Sequence, residues 1–188
     1  DDEKIHISKS WVQVNKDLGI DTNQADDRSR GTMKRRWPIE SIIDSGYGIV
    51  TLYRGDIDPD KDDFSDGIHP LFYHQNQVKP KPDEWATIAA WSWGLSRVMD
   101  YLEKDDDIDN EKVIVFGHSR LGKVSLWTAA VDERFAACIT NNSGAMGAAL
   151  SRRNYGETVE VINRAFPHWF NGTFKKYANK ENMLRMDQ

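Results

Sequence analysis

A serine lies between small residues at the junction of two regular segments, in the run Gly117-His118-Ser119-Arg120-Leu121-Gly122. Residues 112–116 before it are apolar and β-branched, which predicts a buried strand, and residues 120–131 after it predict a helix. A sharp strand-to-helix turn is how a nucleophilic serine is presented at the carboxyl end of a sheet, and small residues let its two backbones approach. In the usual pattern, Gly-x-Ser-x-Gly, the second glycine comes one residue earlier. The alternative interpretation is an ordinary helix cap.

The chemistry that this turn predicts is attack by the Ser119 hydroxyl on a carbonyl carbon, with the next amide donating to the oxyanion. Such a serine needs a histidine to take its proton and a carboxylate to orient that histidine, usually in the order serine, acid, histidine for this kind of turn. Downstream of Ser119 the sequence offers only His168. His69 and His74 precede the serine, and we expect His118 to point away from it.

The segments around this turn alternate between strand and helix patterns. Residues 47–53 predict a buried parallel strand, residues 84–104 a helix capped by Asp83, and residues 135–140 another strand. A short helix is also predicted from Trp37, ending at Gly46. The apolar side chains of the 84–104 helix fall on one stripe: Ile88, Trp91, Leu95, Val98, Met99 and Leu102. This order predicts an α/β fold with a parallel sheet.

The composition excludes several classes of protein. The 188 residues are 39% hydrophobic and 29% charged, which is typical of one globular domain, and no apolar run is long enough for a transmembrane helix. The net charge of −5 and the scattered 25 lysines and arginines argue against a nucleic-acid or anionic-membrane partner. Cys138, the one cysteine, excludes an internal disulfide and a cysteine-based zinc site.

Residues 56–82 predict a long loop rich in Asp, Gly and Pro. Its carboxylates at Asp56, Asp58, Asp60 and Asp62 alternate like the start of an EF-hand calcium loop. The glycine and the terminal glutamate of that loop are absent at their required offsets. Because a solvated acidic loop is the commoner case, we predict no metal site there. The serine chemistry expected at Ser119 needs no organic cofactor.

The extended elbow Gly-x-Ser-Arg-x-Gly-Lys is matched at Gly117, Ser119, Arg120, Gly122 and Lys123. Together with other segments, it resembles the glucuronoyl esterases of carbohydrate esterase family 15, in their bacterial branch. The likeness covers nearly the whole chain. The other matching segments are 34–40, 53–57, 90–97, 100–102, 141–144, 148–153, 156–158 and 166–170.

This resemblance implies an α/β-hydrolase fold, a three-layer sandwich with a mainly parallel sheet. Residues 1–188 would be the central portion of a single such domain, incomplete at both ends, with the long loop at 56–82. Ser119 would cleave, through an acyl-enzyme, the ester that joins (4-O-methyl)glucuronoyl side chains of xylan to lignin alcohols. Arg120 would stabilise the oxyanion, and Lys123 and Glu157 would bind hydroxyls of the glucuronate ring. The resemblance also implies a secreted or periplasmic enzyme, and we expect a monomer.

The catalytic acid and histidine depart from the family pattern. Some members carry the acid at the position of Asn142, which cannot be charged, and the family's histidine follows a stretch resembling Asp187-Gln188. We therefore expect both groups beyond Gln188, and we expect His168 to be a structural histidine. The alternatives are a different carbohydrate ester hydrolase, of the acetyl-xylan type, or a non-catalytic fragment or degenerate homologue that binds uronates weakly.

Overall fold

The structure is a computed structural model that describes residues 5–153 and 155–185. The chain divides into two compact units, Asp1–Asp60 and Lys61–Gln188. Asp187-Gln188, which the resemblance placed ahead of the catalytic histidine, lies outside the described residues. One domain over residues 1–188 stays a prediction.

The first unit consists of short helical turns joined by loops. Helix α1 spans Ile39–Asp44, and Gly46 follows it with a φ of 84°, which glycine adopts without strain. This confirms the predicted short helix. The Ser10 hydroxyl donates to Asp56 Oδ1 at 2.6 Å, which ties distant loops of this unit together. The unit also has 3₁₀ turns at Lys16–Leu18, Asp27–Ser29, Lys34–Arg36 and Arg54–Asp56.

The prediction of a buried parallel strand over residues 47–53 is wrong. No strand is formed there, and the side chains of Tyr47 and Val50 are 63% and 57% exposed. A strand needs a neighbouring backbone that exchanges ladder hydrogen bonds with it, in addition to apolar, β-branched residues. Among its described residues, the first unit offers this segment no such neighbour.

The second unit is built around two parallel strands, β1 at Ile114–His118 and β2 at Ala137–Asn141. Ile114 pairs with Ala137, and the register runs on to His118 opposite Asn141. Helix α3, Arg120–Val131, connects the strands, as predicted. Strand β1 lies two residues further along the chain than predicted, because a 3₁₀ turn occupies Asn110–Lys112. Strand β2 begins two residues and ends one residue later than predicted, because the ladder continues to the elbow. The α/β prediction is confirmed.

Helix α2 spans Thr87–Leu102 and packs on α3. Its predicted cap, Asp83, is wrong: the cap position is Ala86, without a side-chain hydrogen bond. The Thr87 and Ile88 amides donate instead to the carbonyls of His168 and Trp169, at 3.1 and 3.2 Å. Those two carbonyls thus satisfy donors that a helix leaves unpaired at its start.

The apolar stripe of α2 faces the interior as predicted. Of the six residues in the stripe, Ile88, Trp91, Met99 and Leu102 are buried and the other two are half-buried, whereas Trp93 is on the opposite, partly exposed side. Helix α4, Val159–Ala165, is capped by the Thr158 hydroxyl, which accepts from the Val161 amide at 3.2 Å. Further 3₁₀ turns lie at His69–Phe72, Phe174–Tyr177 and Glu181–Met183.

Residues 61–82 form neither α-helix nor strand, as the loop prediction requires. In the acidic part of the chain, Asp60 pairs with Arg54 at 3.0 Å, and Lys61 pairs with Asp66 at 2.6 Å. Within residues 5–153 and 155–185 no group of three or more His, Cys, Asp or Glu side chains could hold a metal ion. In the same residues, no helix has the length and apolarity needed to cross a membrane.

Candidate active site

Ser119 occupies the turn between the last residue of β1 and the first residue of α3. Its backbone has a φ of 57° and a ψ of −121°, a positive φ that is uncommon outside glycine and costs on the order of 1–3 kcal/mol. The surroundings hold it there. The Ser119 amide donates to the Asn141 carbonyl at 2.9 Å, and its own carbonyl accepts from the Gly122 amide at 2.9 Å. The side chain is exposed, as a nucleophile must be.

The two glycines of the elbow lie where backbones nearly touch. A Cβ on Gly117 would lie 1.9 Å from the Leu121 carbonyl oxygen. A Cβ on Gly122 would lie 3.0 Å from the Asn141 carbonyl oxygen and 3.0 Å from the Ser143 Cβ. The late second glycine is therefore the residue that lets α3 approach the end of β2.

The start of α3 places a hydrogen-bond donor next to the serine. Arg120 is the first residue of this helix, and an α-helix provides no carbonyl within itself for the amide at that position. The positive end of the helix dipole lies at the same point. This arrangement can stabilise an oxyanion formed on a carbonyl that Ser119 attacks.

The Arg120 guanidinium lies beside two stacked aromatic rings, near the edges of both. Its Cζ is 4.8 Å from the centre of the Trp169 ring and 5.2 Å from that of Phe166. Those rings are stacked on each other, with centres 3.7 Å apart and planes 2° from parallel. Arg120 is thus the one predicted site cation that the described residues hold by ring contacts.

Lys123 lies one helical turn further on and is buried, with 5% of its surface exposed. Its Nζ donates to the Ser143 carbonyl, which follows β2. Burial lowers the pKa of Lys123 below that of an ordinary lysine. The Glu157 carboxylate opposes this shift and the Arg120 guanidinium adds to it. The structure therefore brings Arg120 and Glu157 within electrostatic reach of Lys123.

The residues that follow β2 form the other wall of the elbow. Asn142 and Gly144 both have positive φ, 47° and 59°, on either side of the buried Ser143. The Asn141 side-chain Nδ2 lies 3.2 Å from His118 Nδ1, so the His118 ring turns toward β2. Asn142 is exposed and uncharged, which leaves it without the role of a catalytic acid.

The remaining histidines lie elsewhere. His168 is buried, with its ring edge-on to Trp169 and its carbonyl at the start of α2. His69 stacks on Trp85 with ring centres 4.3 Å apart, and His74 lies beside it. Both histidines line a cavity of about 230 Å³ with Phe72, Tyr73, Pro80, Glu84 and Trp85. Within the described parts of the chain, no hydrogen bond joins the Ser119 hydroxyl to an imidazole or a carboxylate.

Sequence reasoning missed three partners of the site: the Ser143 carbonyl, Phe166 and Trp169. The aromatic run 166–170 was visible as a motif, but the helix start that its residues contact lies far upstream. A carbonyl that accepts from a buried lysine leaves no trace in the identity of the residue that carries it.

Comparisons with known proteins agree with this architecture. A family model described as glucuronyl esterase, fungi, matches residues 35–188. A carbohydrate esterase of an unknown prokaryotic organism is 54% identical over 187 residues, which are 100% of this chain and 43% of the relative. The 4-O-methyl-glucuronoyl methylesterase 1 of Phanerochaete chrysosporium is 32% identical over 113 residues, covering 54% of this chain and 24% of the relative.

Solved structures give the same result. The glucuronoyl esterase from Solibacter usitatus superposes with a TM-score of 0.88 at 43% identity, over 98% of this chain and 46% of that structure. A promiscuous CE15 esterase from a marine bacterial metagenome superposes with a TM-score of 0.89 at 53% identity, over 99% of this chain and 47% of that structure. The chain spans less than half the length of these relatives. The predicted α/β-hydrolase fold is confirmed, and the chain belongs to the glucuronoyl esterases of carbohydrate esterase family 15.

Proposed function

We propose that this chain carries the nucleophile and the anion-binding groups of a serine carboxyl-ester hydrolase that cleaves esters of glucuronic acid. The observation that carries the proposal is the positive φ of Ser119 between β1 and α3. A backbone strained at this turn, with an exposed hydroxyl, is how a serine nucleophile is presented. Membership of the glucuronoyl esterase family supports the choice of acyl group.

The proposed reaction proceeds in two steps. The Ser119 oxygen bonds to the ester carbonyl carbon, its proton passes to a general base, and the alcohol leaves with a proton, which gives an acyl-enzyme. Water then attacks the acyl-enzyme, which releases glucuronic acid and restores the hydroxyl. Neither step needs a metal or an organic cofactor.

The cations near Ser119 have different proposed roles. A fixed guanidinium at Arg120 stabilises negative charge that develops only as the carbonyl is attacked, so it lowers the barrier more than it strengthens binding. Lys123 and Glu157, which interact electrostatically, are proposed to hold the hydroxyls of the glucuronate ring. An ammonium donor and a carboxylate acceptor suit vicinal hydroxyls, which both donate and accept.

We propose that the alcohol of the natural ester belongs to lignin and that the acid is a (4-O-methyl)glucuronoyl side chain of xylan, as the family resemblance implies. Such an ester is part of a polymer too large to enter a cell. The enzyme is therefore proposed to act outside the cytoplasm, secreted or periplasmic, as a monomer.

The test is hydrolysis of benzyl glucuronate, with acetylated xylan as the comparison ester, by the product of the complete coding sequence. We expect Ser119→Ala to lower kcat by at least about 10³-fold, the scale on which removal of a serine nucleophile acts. The matched control is Ser45→Ala, which removes an exposed hydroxyl that bonds only within α1.

Undiminished turnover by Ser119→Ala would overturn the proposal. Hydrolysis of acetylated xylan in preference to the glucuronate ester would replace its substrate class. The absence of turnover with both esters would favour a non-catalytic protein.

A further inference from the structure

We infer that the aromatic cavity beside Trp85 is a second carbohydrate site, which binds a neutral sugar ring, a xylose unit of xylan. The choice of xylan rests on the proposed function, whereas the choice of a sugar rests on the cavity itself. None of the residues that line the cavity belongs to the elbow around Ser119 or to the pair proposed to bind the uronate hydroxyls. The site would therefore hold the polymer and take no part in ester cleavage.

Two aromatic rings meet nearly at a right angle in the cavity wall. The ring centres of Phe72 and Trp85 are 5.4 Å apart, and their planes cross at 82°. The Trp85 ring is also stacked on the buried His69 ring, with centres 4.3 Å apart, which fixes its orientation. Aromatic carbon with polar groups close by suits a sugar, because a pyranose ring exposes C–H groups as well as hydroxyls.

The aromatic surface continues beyond the cavity. Phe72 is 49% exposed in the described part of the chain, and its ring also contacts Trp93 of α2, with centres 5.8 Å apart. Trp93 is itself 37% exposed. A contiguous exposed apolar surface of this kind marks a binding site more often than an isolated exposed ring does. A chain of sugar rings can therefore extend from the cavity along Phe72 toward Trp93.

A carboxylate is held in a fixed place on the cavity wall. Glu84 Oε2 accepts from the Lys81 amide at 2.7 Å and from Gln77 Nε2 at 2.6 Å. Gln77 Oε1 in turn accepts from the His74 amide at 3.1 Å, so one side chain joins two lining residues of the cavity. A carboxylate has about four acceptor sites, and Glu84 can therefore also accept from a sugar hydroxyl.

The charge of Glu84 and the size of the cavity favour one neutral ring. The hydrogen bond from the Lys81 amide lowers the pKa of Glu84, desolvation opposes this shift, and the Gln77 side chain adds to it. An ionised carboxylate only accepts, so it bonds a hydroxyl but finds no donor on the carboxylate of a glucuronate. The volume of about 230 Å³ is below the roughly 300–1,000 Å³ of sites for drug-sized ligands, which suits a single ring.

The experiment titrates xylohexaose into the product of the complete coding sequence and follows the NMR signals of the Trp85 indole and the His74 imidazole. We expect both signals to shift saturably. Phe72→Ala should raise the Kd about fivefold, the scale of one aromatic contact, and Phe72→Tyr should keep the parent Kd. The matched control is Tyr101→Ala, which removes an exposed ring at the other end of α2 and should leave the Kd unchanged.

Glu84→Gln tests the polar contact, because it keeps the shape of the side chain and removes its charge. Hydrogen bonds to an ionised acceptor are roughly twice as strong as neutral ones, so we expect the Kd for xylohexaose to rise about threefold or more. A Kd equal to that of the parent protein would overturn the assignment of Glu84 as the acceptor.

Trp85 and His74 signals that do not move on addition of xylohexaose would overturn the inference. Signals that move with benzyl alcohol and not with xylohexaose would assign the cavity to the lignin alcohol instead. Equal weakening by Phe72→Ala and Tyr101→Ala would indicate a general loss of packing and would also contradict the site. Failure of the proposed function is distinguishable, because it appears as turnover by Ser119→Ala or as no turnover by the parent protein, whereas the titration uses a sugar without an ester.

Discussion

The two cations after Ser119 differ in how the protein holds them. Arg120 is half-buried beside two stacked rings, whereas Lys123 is buried and bonded to a backbone carbonyl. A buried ammonium is costly unless hydrogen bonds and charges compensate for lost water. Lys123 receives such compensation from Ser143 and Glu157, so it joins the first turn of α3 to the segment after β2.

The lowered pKa of Lys123 predicts a pH dependence of stability with a definite sign. Between the folded-state pKa and the ordinary value of 10.5, the unfolded chain binds more protons than the folded one, so stability gains with rising pH. We expect the free energy of unfolding of the parent protein to rise relative to that of Lys123→Met as pH increases from 7 toward 10. Urea unfolding at a series of pH values measures this difference. A difference that is constant, or that falls with pH, would show that burial does not control this group.

At the scale of elements, the site is the junction of β1, α3 and β2. The strands end side by side because they are parallel, so the turn at Ser119 and the turn at Asn142 meet at one edge. The close approach of α3 to the strand ends requires glycine at positions 117 and 122, because neighbouring backbone atoms leave no room for a side chain there. The geometry at Ser119 thus depends on residues that carry no reactive group.

Because the backbones are so close at Gly117, one added methyl group at this position should destabilise the protein. Gly117→Ala places a Cβ where backbone atoms of Leu121 lie, so α3 must shift, and we expect a loss of about 2 kcal/mol or more in the free energy of unfolding. Gly48→Ala is the control, because nothing lies within 4 Å of its Cβ and its φ is not left-handed. It should change stability by less than about 0.5 kcal/mol. Equal effects of the two substitutions in denaturant titrations would contradict the close approach at the elbow.

Across the whole molecule, local patterns were enough to predict the central β1–α3–β2 unit. The bounds of α3 are as predicted, because helix periodicity and the elbow motif are read within a few adjacent residues. The predictions that failed depend on distant partners. Residues 47–53 needed a strand neighbour, and the start of α2 is capped by the carbonyls of His168 and Trp169.

The candidate site shows the same division. Ser119 was predicted from the strand-to-helix turn around it, whereas Arg120, Lys123 and Glu157 entered through the family resemblance. The place of Phe166 and Trp169 beside Arg120 was beyond sequence reasoning because only the fold brings residues 166–169 to α3. The sheet face with Ile114, Phe116 and Ile139 is exposed in the described part of the chain, whereas parallel sheets are usually covered on both faces.

The central claim is that Ser119 is a nucleophile, and covalent labelling tests it most directly. A fluorophosphonate reacts with an activated serine by forming a bond from the serine oxygen to phosphorus and releasing fluoride. Trypsin cleaves after Lys112 and Arg120, which releases peptide 113–120, in which Ser119 is the one serine. We expect mass spectrometry of the labelled protein, produced from the complete coding sequence, to find the adduct on this peptide and none in Ser119→Ala. An adduct on a different peptide, or glucuronate ester hydrolysis without any adduct on residues 113–120, would contradict the account.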